Sequence, residues 1–142
     1  MTSNLGEFAI SVVAGNATCT AARTLLSNTS VGALVLVGAP PSGNGVLLDL
    51  VAMVPQATVT ATRADLWDVD TNGNYWPISS VTIPAQTLYT TQAVAMTSFL
   101  KADGTVISLS NPLEVAPGHT AACSIAVAFA TGINGLARGY SF

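Results

Sequence analysis

The sequence predicts an all-β protein, a single-domain β-sandwich of the jelly-roll kind with roughly eight short strands. Three observations lead there. Nearly every segment with a clear hydrophobic rhythm repeats every two residues and not at the helical period. Clusters of Pro, Gly, Asn and Asp break these segments at short intervals, as hairpin and sandwich connections require. Half of the 142 residues are hydrophobic, yet no run is apolar for long enough to span a bilayer as a helix. That length suits one domain around one core. Residues 1–30 read as an N-terminal arm or first strand of that same domain, and residues 31–142 as the sandwich.

Phe8, Ile10 and Val12 alternate with smaller residues, so Phe8–Ala14 predicts a first strand; it lacks the positive flank of a secretory leader. Thr20–Asn28 fits either a turn or two of helix or an irregular strand entry. Ala33–Val37 and Val46–Val54 are apolar at almost every position, which predicts strands covered on both faces. From Ala57 to Val69 the apolar parity runs Ala57, Val59, Ala61 and then shifts to Leu66, placing a bulge or bend near Arg63. Further strands are expected at Tyr75–Ile83, Thr87–Leu100, Val106–Leu109 and Ala121–Ala130. Asp103-Gly104 marks a hairpin between two of them. In Asn111–Gly118 two prolines bracket a short extended stretch that suits an edge or interface strand.

Charge is scarce: Asp, Glu, Lys and Arg make up 8% of the chain, against roughly a quarter in an average soluble domain. Thr, Ser, Asn and Gly cover a surface only in part, so much of it is expected to lie against other copies or a partner. Arg23, Arg63, Lys101 and Arg138 stand singly. They form neither the stripe that neutralises a phosphate backbone nor a polybasic membrane patch, so neither nucleic acid nor membrane is expected as a partner. Cys19 and Cys123 each lie among small or apolar residues and read as buried free thiols; a disulfide between them is the alternative.

No catalytic constellation emerges, and the protein is read as no enzyme. The one histidine, His119, follows a Pro-Gly turn and is assigned a structural or interface role. Asp68, Asp70 and Asn72 followed by Gly73 match the first half of a calcium loop of the D-x-D-x-N-G type. The match then fails, because Ser79 stands where the bidentate Glu should be and strand-like sequence flanks the loop. A hairpin tip is therefore preferred to a calcium site, and no cofactor is expected. Trp67, Tyr75 and Trp76 around this tip, together with Pro112 and His119, are the candidate interface residues. Trp67 and Trp76 are expected to anchor a core or an interface, with a sugar-binding face as the alternative.

Three stretches resemble the small all-β decoration or cement proteins that coat the capsids of tailed bacteriophages. They are Ala64–Asp70 with Asn72–Tyr75, Leu109–His119 and the closing Gly135–Phe142, spread over the C-terminal half. The resemblance is one of texture: low charge, abundant Thr, Ala, Val and Gly, short strands and no catalytic set. It implies a homotrimer at threefold axes, clamping neighbouring major capsid protein subunits, made in the bacterial host cytoplasm and located on the virion surface. It carries over no functional residue. A phage tail or adaptor component has a similar composition. The opposing class is a calcium-assisted carbohydrate-binding module, with Asp68, Asp70 and Asn72 on the metal and Trp67, Tyr75 and Trp76 against sugar.

Overall fold

Among the described residues, the period-two segments fold into nine strands and two antiparallel sheets. The computed structural model describes residues 11–23 and 32–141. The strands are β1 (Ser11–Cys19), β2 (Leu34–Gly38), β3 (Val46–Pro55), β4 (Thr62–Val69), β5 (Tyr75–Ile83), β6 (Thr97–Ser98), β7 (Leu113–Val115), β8 (Thr120–Ile125) and β9 (Ile133–Ser141). One sheet runs β1-β9-β3-β6, with β7 also paired to β3; the other runs β2-β8-β4-β5. Short β6 and β7 share one edge position beside β3. Taken as one strand, they leave eight, in the interleaved order of a jelly roll. The predicted fold class is therefore present, and among the described residues there is no helix.

The inner faces of both sheets build one core, including Leu36, Leu48, Val51, Met53, Leu66, Phe99, Cys123, Ile125 and Ile133. Bulges keep apolar residues on that face. In β3 the pairing with β9 skips Asp49, so Val46 and Leu48 on one parity and Val51 and Met53 on the other all point inward. This explains why β3 reads as apolar throughout. The parity change expected near Arg63 also occurs. Val59 and then Ala64 and Leu66 reach the same core, and the change is absorbed at Thr60–Ala61, outside any strand.

Other expectations need correction. β2 is not covered on both faces: among the described residues it is a sheet edge paired only with β8, and Leu34 and Val35 are exposed. Thr87–Leu100 and Val106–Leu109 do not form long strands. Only Thr97–Ser98 forms a strand beside β3; Phe99 and Ile107 reach the core, and the remainder is a connection held by isolated bridges such as Leu100 to Val106. The Asp103-Gly104 turn is present, with the Gly104 N–H donating to the Lys101 carbonyl at 2.9 Å. β8 stops at Ile125, short of Ala130. Of the residues read as an arm or irregular entry, 1–10 and 24–31 lie outside the described residues, while Ser11–Cys19 is β1.

β9 was not anticipated, although it lies between β1 and β3 and pairs with both along its length. Its glycines hid it from a propensity reading, and packing explains them. A Cβ at Gly135 would lie 2.6 Å from Cys123 Sγ, and one at Gly139 would collide with the Leu47 carbonyl oxygen. Gly139→Ala is therefore expected to destabilise the fold by about 3 kcal/mol or more, since backbone and not a flexible side chain stands in the way. Gly73→Ala, at a hairpin tip with φ 80° and no atom within 4 Å of the added Cβ, should cost only about 1–2 kcal/mol. Chemical denaturation of both variants measures the difference.

Candidate functional site

Alternation along the sheets sends the connections to two ends. At one end the β2–β3, β4–β5 and β7–β8 connections meet. The Ala39 N–H donates to the His119 carbonyl at 2.8 Å, and the Gly118 N–H to the Ala39 carbonyl at 3.1 Å. Most of the polar residues singled out in the sequence gather here, around the β4–β5 hairpin.

The hairpin tip is organised by Asp70. The Gly73 N–H closes a turn onto the Asp70 carbonyl at 3.0 Å, and the Asp70 N–H returns to the Asn74 carbonyl at 3.0 Å. Gly73 takes the left-handed conformation that this turn needs, φ 80°. One Asp70 carboxylate oxygen accepts from the Asn72 and Asn74 backbone N–H groups, both at 2.9 Å. The other accepts from the Trp76 indole N–H at 2.9 Å and the Asn74 amide at 3.3 Å. The Trp76 indole, followed by the Asn74 backbone N–H, lowers the Asp70 pKa to about 2.

Asp68 turns to a different partner. Both of its oxygens lie 3.0 Å from His119 Nδ1, in a half-buried pair that ties β4 to the entry of β8. The three residues of the calcium-like motif thus have separate jobs: Asp68 meets His119, Asp70 caps the tip, and Asn72 supplies a backbone N–H. Among the described residues no group of three or more His, Cys, Asp or Glu side chains is placed to hold an ion.

The aromatic trio also divides. Trp67 and Trp76 do not face each other, because the β4–β5 register skips Ile78 and sets Trp67 opposite Pro77 and Asp68 opposite Trp76. Trp76 is 53% exposed, whereas Trp67 is fully buried in a second cluster with Val69, Tyr75 and Ala122. These residues belong to the face of the four-stranded sheet turned away from the main core. Tyr75 meets Trp67 edge-on, with ring centroids 6.3 Å apart. Pro112 is half-buried just before β7, away from this end.

A buried polar group on that outer face went unrecognised in the sequence. The Arg23 guanidinium lies 4.1 Å from the Trp67 ring centroid and 5.4 Å from that of Tyr75. Burial lowers the Arg23 pKa, with Tyr75 and then Asp65 opposing that shift. The Trp67 indole donates to Ser124 Oγ at 2.8 Å. Buried Asp65 accepts from Arg63 Nε at 2.9 Å and from the Ser80 hydroxyl at 2.6 Å. Arg63 Nη2 in turn reaches the Arg23 carbonyl at 3.2 Å, and the Arg23 N–H donates to the Ile125 carbonyl at 2.7 Å. The group fastens the segment after β1 across the outer face of the other sheet. Arg63, Asp65 and Trp67 share one strand parity, the one signal by which sequence reading could have joined them.

Chemically, these two arrangements hold loops and aromatic rings in place. Asp70 has both oxygens committed to N–H groups, and Asp68 orients His119. No family model matches the chain, and no curated protein matches it in sequence. Among solved structures it is similar to a chain in the structure of infectious bursal disease virus, Gt strain, at 10% identity and a TM-score of 0.31. The similarity covers 94% of this chain and 32% of that one, so the chain spans about a third of its length.

Two measurements check these assignments. The Asp70 pKa is depressed from 3.8 to about 2, so its hold on the tip is complete above about pH 4 and lost as pH falls through about 2. The fluorescence of Trp76 should titrate across that window, and Asp70→Asn should abolish the titration. Asp65→Ala, which strips a buried carboxylate from Arg63 and Ser80, should lower stability by about 3 kcal/mol and shift Trp67 emission to the red.

Proposed function

We propose that this protein is a non-enzymatic virion structural component of the cement or decoration kind, binding as a homotrimer across joints between major capsid subunits of a phage. The observation that supports this most is apolar exposure on a surface nearly without charge. Val12 on β1 is 82% exposed and Val35 on β2 is 51% exposed, and both belong to edge strands. Tyr89, Met96, Val106 and Leu109 are exposed on the long connection between β5 and β7. Edge strands and apolar side chains are liabilities on an isolated domain and assets where another chain covers them. Apolar burial contributes about 25 cal/mol per Å² before association costs, and many copies on one lattice reinforce one another. The jelly roll itself recurs in viral capsid subunits and in lectins, so fold alone favours neither reading.

The carbohydrate-binding alternative rests on exposed Trp76, with Asp70 already saturated by the hairpin's own donors. Light scattering after size exclusion separates the two. The assembly reading expects a mass near three times 14.4 kDa, and a clean monomer would sink the trimeric clamp. Val12→Lys with Val35→Lys should change stability by no more than about 0.5 kcal/mol while abolishing association. Millimolar calcium is expected to leave the melting temperature unmoved, whereas a rise would revive the metal-assisted alternative.

A further inference from the structure

Two thiols meet between the sheets and play no part in the assembly reading. Cys19 ends β1 in the five-stranded sheet, and Cys123 lies within β8 of the four-stranded sheet. Both are buried and free, with their Sγ atoms 3.4 Å apart and 104 residues between them in the chain. Gly135 makes room for this contact, since a Cβ there would stand 2.6 Å from Cys123 Sγ. A disulfide bond is about 2.05 Å long, so closing the 3.4 Å gap takes roughly 1.4 Å of sulfur travel, within reach of small side-chain rotations. We propose that Cys19 and Cys123 form a modification site, which a low-molecular-weight disulfide converts into an intrachain disulfide tying the two sheets together through the core.

The step is a pair of thiol–disulfide exchanges. Cys19, at the end of an edge strand, is the attacking sulfur; the hydrogen bond it shares with Cys123 lowers its pKa, against the opposing effect of burial. The same hydrogen bond, and then burial, raise the Cys123 pKa and keep that thiol protonated. The Cys19 thiolate attacks one sulfur of the small disulfide, whose S–S bond breaks and releases a thiolate. Cys123 then passes its proton to the released thiolate and attacks Cys19 Sγ, which breaks the mixed disulfide and releases a second thiolate. Two protein thiols are oxidised, one small disulfide is reduced to two thiols, and the protons end on the released thiols. Access requires local opening of the edge strand β1 from β9, together with release of the Arg23 contacts that hold the segment after it.

The test unfolds the full chain in denaturant and refolds it through a glutathione redox buffer, so that burial does not limit the oxidant. A second sample stays reduced throughout. The expected product has a mass lower by about 2 Da, no titratable thiol, and a peptide map joining Cys19 to Cys123. Because the bridge closes a long loop, its melting temperature should rise by roughly 10 °C and return on reduction. Cys19→Ser and Cys123→Ser should each lose the redox-dependent rise. Two free thiols after refolding, glutathione on separate cysteines, bonds between chains, or a bridged chain that melts no higher than the reduced one would each overturn the proposal.

Discussion

The constraint on which the rest of the structure depends is the width of β9. This strand must lie between β1 and β3 while its inner face receives Cys123 and Leu36 from the opposite sheet and Met53 from the adjacent strand β3. Gly135 meets Cys123, Leu36 and Met53, and Gly139 lies against the backbone of β3. With side chains at these positions β9 would stand off its neighbours, and β1, which among the described residues pairs only with β9, would lose its place in the sheet. Gly15 on β1 extends the theme, since a Cβ there would strike the Leu36 carbonyl on β2. The sandwich is thin along this side because glycines let backbone approach backbone, and the core sulfurs occupy the space so made.

Scarcity of charge has a second meaning once partners are visible. Arg23 packs over Trp67, Arg63 holds Asp65, Lys101 donates to Asn111, and Arg138 reaches Asp49. On the acidic side, Asp68 meets His119, while Asp70 and Asp103 cap their own turns. These ionised groups are thus engaged in holding loops, bulges and the segment after β1. Between them the surface is left to hydroxyls, amides and apolar side chains, which are cheaper than charges to remove from water when another surface approaches.

Much of the fold was legible because strands half-buried against one core alternate visibly. β4 follows from its parity, β3 from its unbroken apolar run and β5 from the turn residues before it, and the bracketing prolines mark β7 as an edge strand. What failed has physical causes. Bulges at Leu36 and Asp49 change parity inside strands, so Ala33–Val37 and Val46–Val54 read as apolar on two faces where one face and a kink are present. β9 was hidden by glycines chosen for close packing. Thr87–Leu100 carries β-prone residues that find almost no partner strand. At the candidate site, Asp70 as a turn cap was readable from Asp, Asn and Gly at fixed spacing. The Arg23 group was not, because it joins residues 23, 65, 67 and 124 from three separate elements, and no local pattern reports such a meeting.

The register of the outer strand pair has one more consequence. Ser11 stands directly opposite Ser141, with β1 and β9 antiparallel along their whole length. The first and last described residues therefore lie side by side, at one end of the five-stranded sheet. Such a module could be spliced into a loop of another protein without pulling that loop open.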